Sequence, residues 1–348
     1  MTDLKSLLPE ELENYIVSLG EPRFRANQIF QWLSRGVGSF AEMQNIPKSL
    51  REKLSQCCTI NTLHLLNKQV SRQDGTIKYL WELRDGNAVE TVVMRYHHGN
   101  TVCISSQVGC RQGCAFCAST IGGLVRNLTS AEMLDEVLYS QMDSGEPVSN
   151  IVIMGIGEPL DNLEEVLRFL RLVNQPKGLN IGMRHISLST CGLTEHFDAL
   201  IEAGLPFTLA VSLHAPDDET RSRLMPANHG RGVEQLVRSC ETYFQKSGRR
   251  VTFEYAMIDG VNDSEKQAAE LAALARRVGA HVNLIPLNHV EERSFAPSRE
   301  EQMKAFCAVL DQKGCHYTIR RKLGSDVDAS CGQLRRKREK AQEEGRAK

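Results

Sequence analysis

The sequence predicts an α/β fold with a small helical domain ahead of it, and three observations carry that expectation. From residue 100 onward, apolar strand candidates alternate with helical stretches; residues 60–96 read as strands between turn signals; residues 1–59 show apolar residues only at helical spacing. Alternation of the first kind gives a parallel sheet with helices outside it. Counting strands does not separate a barrel from a doubly wound layer.

In the N-terminal part, Leu7, Leu8, Leu12, Tyr15, Ile16 and Leu19 recur at helical spacing, followed by Ile29, Phe30 and Leu33, then Leu50 and Leu54. Gly20-Glu21-Pro22 and Gly36-Val37-Gly38 are the turns between them. Next come LHLLNKQV, IKYLWEL and VETVVMRY, separated by Asp74-Gly75 and Asp85-Gly86-Asn87, which read as antiparallel hairpins. The later strand candidates are TVCISSQV, NIVIMGIG, HISLST, FTLAVSLH, VTFEYAMI and HVNLIPL. Helices are expected at 129–144, 162–174, 194–203, 232–247 and 263–278, the first opened by a capping box of Thr129 and Glu132. A seventh strand, CHYTIRRKL, closes or flanks the core, and the tail beyond Leu334 is expected as frayed helix or disorder. The division is 1–59 helical, 60–96 hairpin extension, 97–334 α/β core and 335–348 basic tail.

At 348 residues, 41% apolar and 24% charged, the chain has room for one large α/β domain and a smaller one. No apolar run approaches the roughly 18 residues of a membrane span, and the acidic N-terminal segment lacks the basic region of a secretory signal. Eleven cysteines in such a chain point to reduced thiols or metal ligation in the cytoplasm rather than to disulfides. The net charge of −1 gives no support to nucleic-acid binding by itself, because affinity for a polyanion depends on local patches. Two segments qualify: Arg23 to Arg35, and Arg335 through Arg336, Lys337, Arg338 and Lys340. Either can equally be a solvated charged face.

The chemistry-bearing motif is GCRQGCAFC, with Cys110, Cys114 and Cys117 on a loop after an apolar strand. A structural zinc site takes four protein ligands and an electron-transfer cluster usually four cysteines. Three closely spaced thiolates suit a 4Fe–4S cluster with one iron left open. Cys103 as a fourth ligand would give a zinc knuckle instead, and three inert core thiols are the plainest alternative. Downstream, Gly155-Ile156-Gly157-Glu158-Pro159 ends an apolar strand, where glycines let a ligand approach the backbone. Ser189-Thr190, Ser212-Leu213-His214 and Asn288 end the following strands, and four polar sets at equivalent places suggest one shared ligand.

Together these segments resemble the RlmN/Cfr family of radical S-adenosylmethionine (SAM) methyltransferases of RNA adenosine. The likeness runs through FRANQIFQWL, VETVV, CISSQVGCRQGCAFC, GIGEPLDN, LST, SLHAP, Met225-Pro226, VND, NLIP and ASCGQL. It implies a partial (β/α)6 radical SAM barrel with a helical accessory domain and a β-hairpin extension. It also implies a 4Fe–4S cluster on Cys110, Cys114 and Cys117 whose open iron chelates SAM, in a site lined by Gly157, Glu158, Ser189, Ser212, Leu213, His214 and Asn288. Pro159 and Ala215 match the members that methylate C2 of adenine rather than the C8-methylating resistance type. Ile156, where methionine is usual, departs from the pattern conservatively.

The resemblance further implies the route. Carbon C2 is electron-poor and cannot attack a methyl electrophile. One SAM therefore methylates Cys331, a radical from a second SAM removes hydrogen from that methyl, and the sulfur-bound carbon adds to the base. Glu90 matches the proton acceptor and Cys103 the thiol that releases the product by forming a disulfide with Cys331. The implied partners are 23S rRNA and tRNA, with a reductant such as flavodoxin or ferredoxin, and the chain is expected to act as a monomer without a membrane. The target base must be extruded or single-stranded to be reached, with the N-terminal helices and hairpins holding the RNA backbone. Cys57, Cys58, Cys191, Cys240, Cys307 and Cys315 match nothing functional and read as structural. A non-catalytic RNA-binding module with a structural metal is the reading from another class, and it leaves Cys331 without a task.

Overall fold

A computed structural model describes residues 1–288, 290–327 and 331–346, with side chains described as far as residue 340. Ala329 and Ser330, which open the ASCGQL segment, and the end of the basic tail lie outside the described residues. Strands β1 (His64–Val70), β2 (Ile77–Glu82), β3 (Ala88–Tyr96) and β4 (Gly99–Ile104) form an antiparallel meander. Parallel strands β5 (Val148–Ile153), β6 (Ile186–Thr190), β7 (Thr208–Ser212), β8 (Thr252–Met257), β9 (His281–Pro286) and β10 (Tyr317–Ile319) continue the same sheet from β4. Strand order in this ten-stranded sheet equals chain order from one edge to the other. A doubly wound layer reverses direction at a switch point; here none occurs, so the parallel part winds one way as an open barrel. Among the described residues β10 does not pair with the meander.

Helices α1 (Pro9–Ser18), α2 (Phe24–Leu33) and α3 (Lys48–Cys57) form the N-terminal bundle around Leu12, Ile16, Ile29, Leu50 and Leu54. In the core, α4 (Ser130–Ser144) opens with the expected capping box, Thr129 Oγ1 accepting from the Glu132 amide and Glu132 from the Thr129 amide. It is followed by α5 (Leu163–Val173), α6 (Phe197–Ala203), α7 (Asp218–Leu224), α8 (Gly232–Ser247), α9 (Glu265–Val278) and α10 (Glu300–Gln312). The expected helix at 194–203 divides into a 3-10 turn, Thr194–His196, and α6. TVCISSQV is not one strand. β4 stops at Ile104, the Ser105 amide turns to the buried Glu136 carboxylate, and Gln107–Gly109 starts a separate hairpin with Leu124–Asn127.

The tail departs most from expectation. Helix α11 (Gln333–Arg346) is docked, with Leu334 buried against Leu80 and Ala88 and Arg335 also buried. Its cations are neutralised in place: Arg336 and Lys340 pair with Glu292, and Arg338 with Glu82. The chain reaches α11 from β10 through a strap tied to the turn between β1 and β2. The Gly324 amide donates to Asp74 (2.7 Å), and Asp326 accepts from Ser71 Oγ (2.6 Å) and the Arg72 amide (2.8 Å).

The bundle is joined to the core by an ion pair with no solvent exposure on either side chain. Lys5 Nζ donates to Asp135 on α4 (2.7 Å) and to the Asn61 carbonyl, while Asn61 Nδ2 satisfies the other Asp135 oxygen. Removing one member of a buried pair strands the other charge, at a cost of about 3–5 kcal/mol. Lys5→Met is therefore expected to lower the urea midpoint sharply, and Lys5→Met/Asp135→Leu to regain most of the loss.

Candidate active site

The C-terminal ends of the parallel strands face a cavity of about 280 Å³. Cys110, Cys114 and Cys117 line one wall together with Phe116, and Gly157, Glu158, Ser189, Ser212, His214 and Asn288 line the others. Burial pushes all three thiols up, Cys110 to about 12, with repulsion among the loop thiols adding for Cys110 and Cys114. Among the described residues no set of His, Cys, Asp and Glu side chains converges on a point as a single metal ion requires. A multi-iron cluster makes a different demand, since each cysteine binds its own iron.

Gly157 adopts φ +114°, and a Cβ there would stand 2.7 Å from both the Ser106 Oγ and the Gln107 Cβ. The glycine thus lets the strand end pass close under the hairpin at Gln107. Next to it the Glu158 carboxylate is buried and fully engaged, accepting from Thr190 Oγ1 (2.6 Å) and the amides of Cys191 (2.7 Å) and Leu160 (3.0 Å). Burial raises its pKa in spite of these donors. His214 sits at φ +55°, with its Nδ1 accepting from the Ala256 amide (2.9 Å) and its ring edge-on to Phe116. The acceptor at Nδ1 leaves the proton of the neutral ring on Nε2. Burial, with Arg221 nearby, pushes its pKa down to about 3, so the imidazole is neutral. Leu213 does not line the cavity: its side chain is core, and only its carbonyl takes part, accepting from Arg221.

Cys331 borders this cavity and a second one of about 240 Å³ that is lined by Cys103 but by none of the loop cysteines. The Cys331 sulfur donates to the Met154 carbonyl (3.4 Å), and its neighbour Cys103, aided by Lys78, draws the Cys331 pKa below the ordinary thiol range while the Cys103 pKa rises. The pair releases its first proton from Cys331. Sheet register explains the company: Lys78 lies opposite Val92, and Val92 opposite Cys103, so all three face one side of the meander, with Glu90 diagonal to Lys78. Glu90 lines neither cavity. Its carboxylate is buried and accepts from Lys78 Nζ, the Gly332 amide (2.6 Å) and the Arg335 amide (2.7 Å). It holds the N-terminus of α11, and with it Cys331, against the sheet.

With this geometry, the comparisons with known proteins are specific. Residues 2–60 match the model described as the ribosomal RNA large subunit methyltransferase N-terminal domain, and residues 104–272 the radical SAM superfamily. The chain is 50% identical to the probable dual-specificity RNA methyltransferase RlmN of Alkaliphilus metalliredigens (strain QYMF), covering 96% of this chain and 95% of that protein. The chain belongs to the RlmN family of radical SAM RNA methyltransferases. An RlmN relative from Desulforamulus reducens is also 50% identical, over 97% of each chain. The crystal structure of a radical SAM methyltransferase from Sphaerobacter thermophilus superposes with a TM-score of 0.90 at 42% identity, covering 96% of this chain and 99% of that one.

Radical SAM methyltransferases use a 4Fe–4S cluster and SAM, and the residues present fit both. Three thiols held protonated by a dry wall are the donor set that metal charge converts outright to thiolates. Opposite them, Gly157 exposes its backbone, and Ser189, Ser212 and Asn288 offer short polar groups to a zwitterion.

Several site residues escape sequence reading. Arg221, on α7, is 1% exposed and donates to the carbonyls of Leu213, Cys191 and Ser212 and to Asn228 Oδ1, tying together the ends of β6 and β7. Cys191, read as structural, lines the cavity. Glu254 lines it from within β8, accepting from Asn283. Cys240 and Cys307 are buried away from the site, and Cys57 and Cys58 lie beside Tyr15 in the helical bundle.

His214 supplies a pH test. Its folded pKa is about 3 against an ordinary 6.5, so between those values the unfolded chain binds a proton that the folded one refuses. Stability is accordingly lost as pH falls through that window, by about 2 kcal/mol between about pH 7 and pH 5 for this one group. The stability gap between the protein and His214→Asn, measured by urea unfolding at both pH values, is expected to shrink by that amount on acidification. A constant gap would mean that the folded imidazole titrates at its ordinary pKa.

Proposed function

We propose that this chain methylates carbon C2 of an adenine in 23S rRNA and of an adenine in tRNA, with Cys331 carrying the methyl group and Cys103 releasing the product. The observation that carries this reading is that Cys331 borders both cavities, one with the cluster thiols and one with Cys103. A carrier needs access to its donor and to its acceptor, and a core thiol needs neither. The dual specificity in the relatives' names supports both RNA classes. When bound, the cluster and SAM supply a methyl electrophile and, after reductive cleavage, a hydrogen-abstracting carbon radical.

The residues divide the remaining work. Cys331 is the nucleophile, ionised first because its neighbour Cys103 and the Lys78 cation draw its pKa down. Once a carbon sits on the Cys331 sulfur, the repulsion that a Cys331 thiolate exerts on Cys103 is gone, and Cys103 is left as the thiol of the pair. Its sulfur attacks that of Cys331, forming S–S as S–C breaks, with the electron pair leaving on carbon. A reductant of the flavodoxin or ferredoxin class restores both thiols. Glu90 positions Cys331 through its three donors, and its family match gives it the role of proton acceptor. Glu158 shapes the floor of the SAM site through Thr190 and Cys191. The bundle and the hairpins hold RNA, a role supported by exposed Phe24 with the Arg25 guanidinium 4.7 Å from its ring centre. All eleven cysteines are free, in keeping with work in the reducing cytoplasm.

The test is mass spectrometry of 23S rRNA and tRNA after anaerobic incubation with reconstituted protein, SAM and reductant. 2-Methyladenosine is expected in both; 8-methyladenosine would reassign the carbon, and no methylated adenosine would overturn the reading. In the same assay Cys103→Ala is expected to accumulate RNA covalently attached at Cys331, and normal turnover by that variant would remove Cys103 from the mechanism.

A further inference from the structure

The second cavity has a charged rim with no assigned task. Arg320, Arg321 and Lys322, in the strap that follows β10, line it together with Cys103 and Cys331. Among the described residues none of the three pairs with a carboxylate, and the side chains of Arg321 and Lys322 are exposed. The basic segments that stand out in the sequence are different: Arg336, Arg338 and Lys340 are neutralised by Glu292 and Glu82, and Arg23 by Glu13. Arg320 donates to the Met154 sulfur (3.8 Å) and its charge acts on the buried Glu254 carboxylate, whereas Arg321 and Lys322 are an unspent electrostatic attraction for an anion. The strap that presents them is fixed at both ends. The Arg320 amide donates to the Leu284 carbonyl (2.8 Å), and Gly324 is held by Asp74. Between rim and thiols the cavity walls combine apolar side chains, from Val92, Met94, Met154, Ile285 and Leu323, with the polar Thr76 and Asn288.

We propose that Arg320, Arg321 and Lys322 form a phosphate-binding rim that grips the RNA backbone beside the target nucleotide, so that its base enters the second cavity between the rim and the Cys103–Cys331 pair. The inference rests on the RNA methyltransferase reading above and adds where the substrate enters and what holds it. The apolar side chains accept a base face, Thr76 and Asn288 offer hydrogen-bond partners to its edge, and the sequence-independent affinity comes from the phosphates. Arg320, which borders both cavities, is the innermost of the three.

The test measures binding of a synthetic RNA hairpin, with an unpaired adenosine in its loop, to the cluster-loaded protein with SAM at several salt concentrations. Arg321→Ala/Lys322→Ala removes two exposed charges that hold nothing in the fold. The double variant is expected to lose roughly tenfold or more in RNA affinity. Its dependence of log affinity on log salt should become shallower by roughly 1.4, or about 0.7 for each single-strand phosphate contact. SAM affinity should be unchanged, and Arg321→Lys/Lys322→Arg should keep the wild-type slope. Wild-type affinity and slope in the alanine variant, with the unmodified protein binding and methylating RNA, would overturn the rim alone. If the unmodified protein neither binds the hairpin nor methylates RNA, the functional reading falls and the rim falls with it.

Discussion

The buried carboxylate of Glu90 is the point on which the reactive end of the molecule depends. It lies on an inner strand of the meander and draws in three N–H donors: the Lys78 ammonium from the next strand and the amides of Gly332 and Arg335 from the start of α11. A lone charge at that depth would be prohibitively costly; a charge with a cation and two amides is satisfied. The helix start in turn gains an acceptor for amides that no intrahelical carbonyl can reach. One side chain thereby fixes where α11 begins and where the Cys331 thiol beside it stands.

The two cavities differ in the electrostatics they set up. Around Cys110, Cys114 and Cys117 burial keeps each thiol protonated until metal charge arrives. Cys331 has the opposite surroundings, with its neighbour Cys103 and the Lys78 cation drawing its pKa down. Two sets of thiols within one protein are thus tuned apart. Arg221 performs a quieter version of the same service by tying together the carbonyls at the ends of β6 and β7.

Much of this was legible in the sequence, for physical reasons that also explain what was not. Apolar runs in period two and helices with caps reported the strands and most helices, and the ligand-facing glycines announced themselves at a strand end. The winding direction did not, because strand order is a property of pairing; only the observed order excludes a doubly wound layer. Lys78 reads as a solvent-facing lysine in IKYLWEL, yet β2 is covered on both faces and the residue is buried. Arg221 in DETRSRL is likewise indistinguishable from a surface helix residue until the carbonyls it bridges are seen. The docked α11 looked like a charged tail because its acidic partners, Glu82 and Glu292, are distant in the chain.

Because the strand order of the sheet is the order of the chain, each new strand emerging from the ribosome finds its neighbour already formed. Assembly can proceed as simple accretion from the N-terminal side, without leaving a gap for a later segment to fill. Cys331 comes almost at the end of that sequence. By the time it is synthesised, Cys103, Lys78, Glu90 and the loop cysteines have all preceded it. The Cys331 sulfur is delivered after all of these, into surroundings that are already built to receive it.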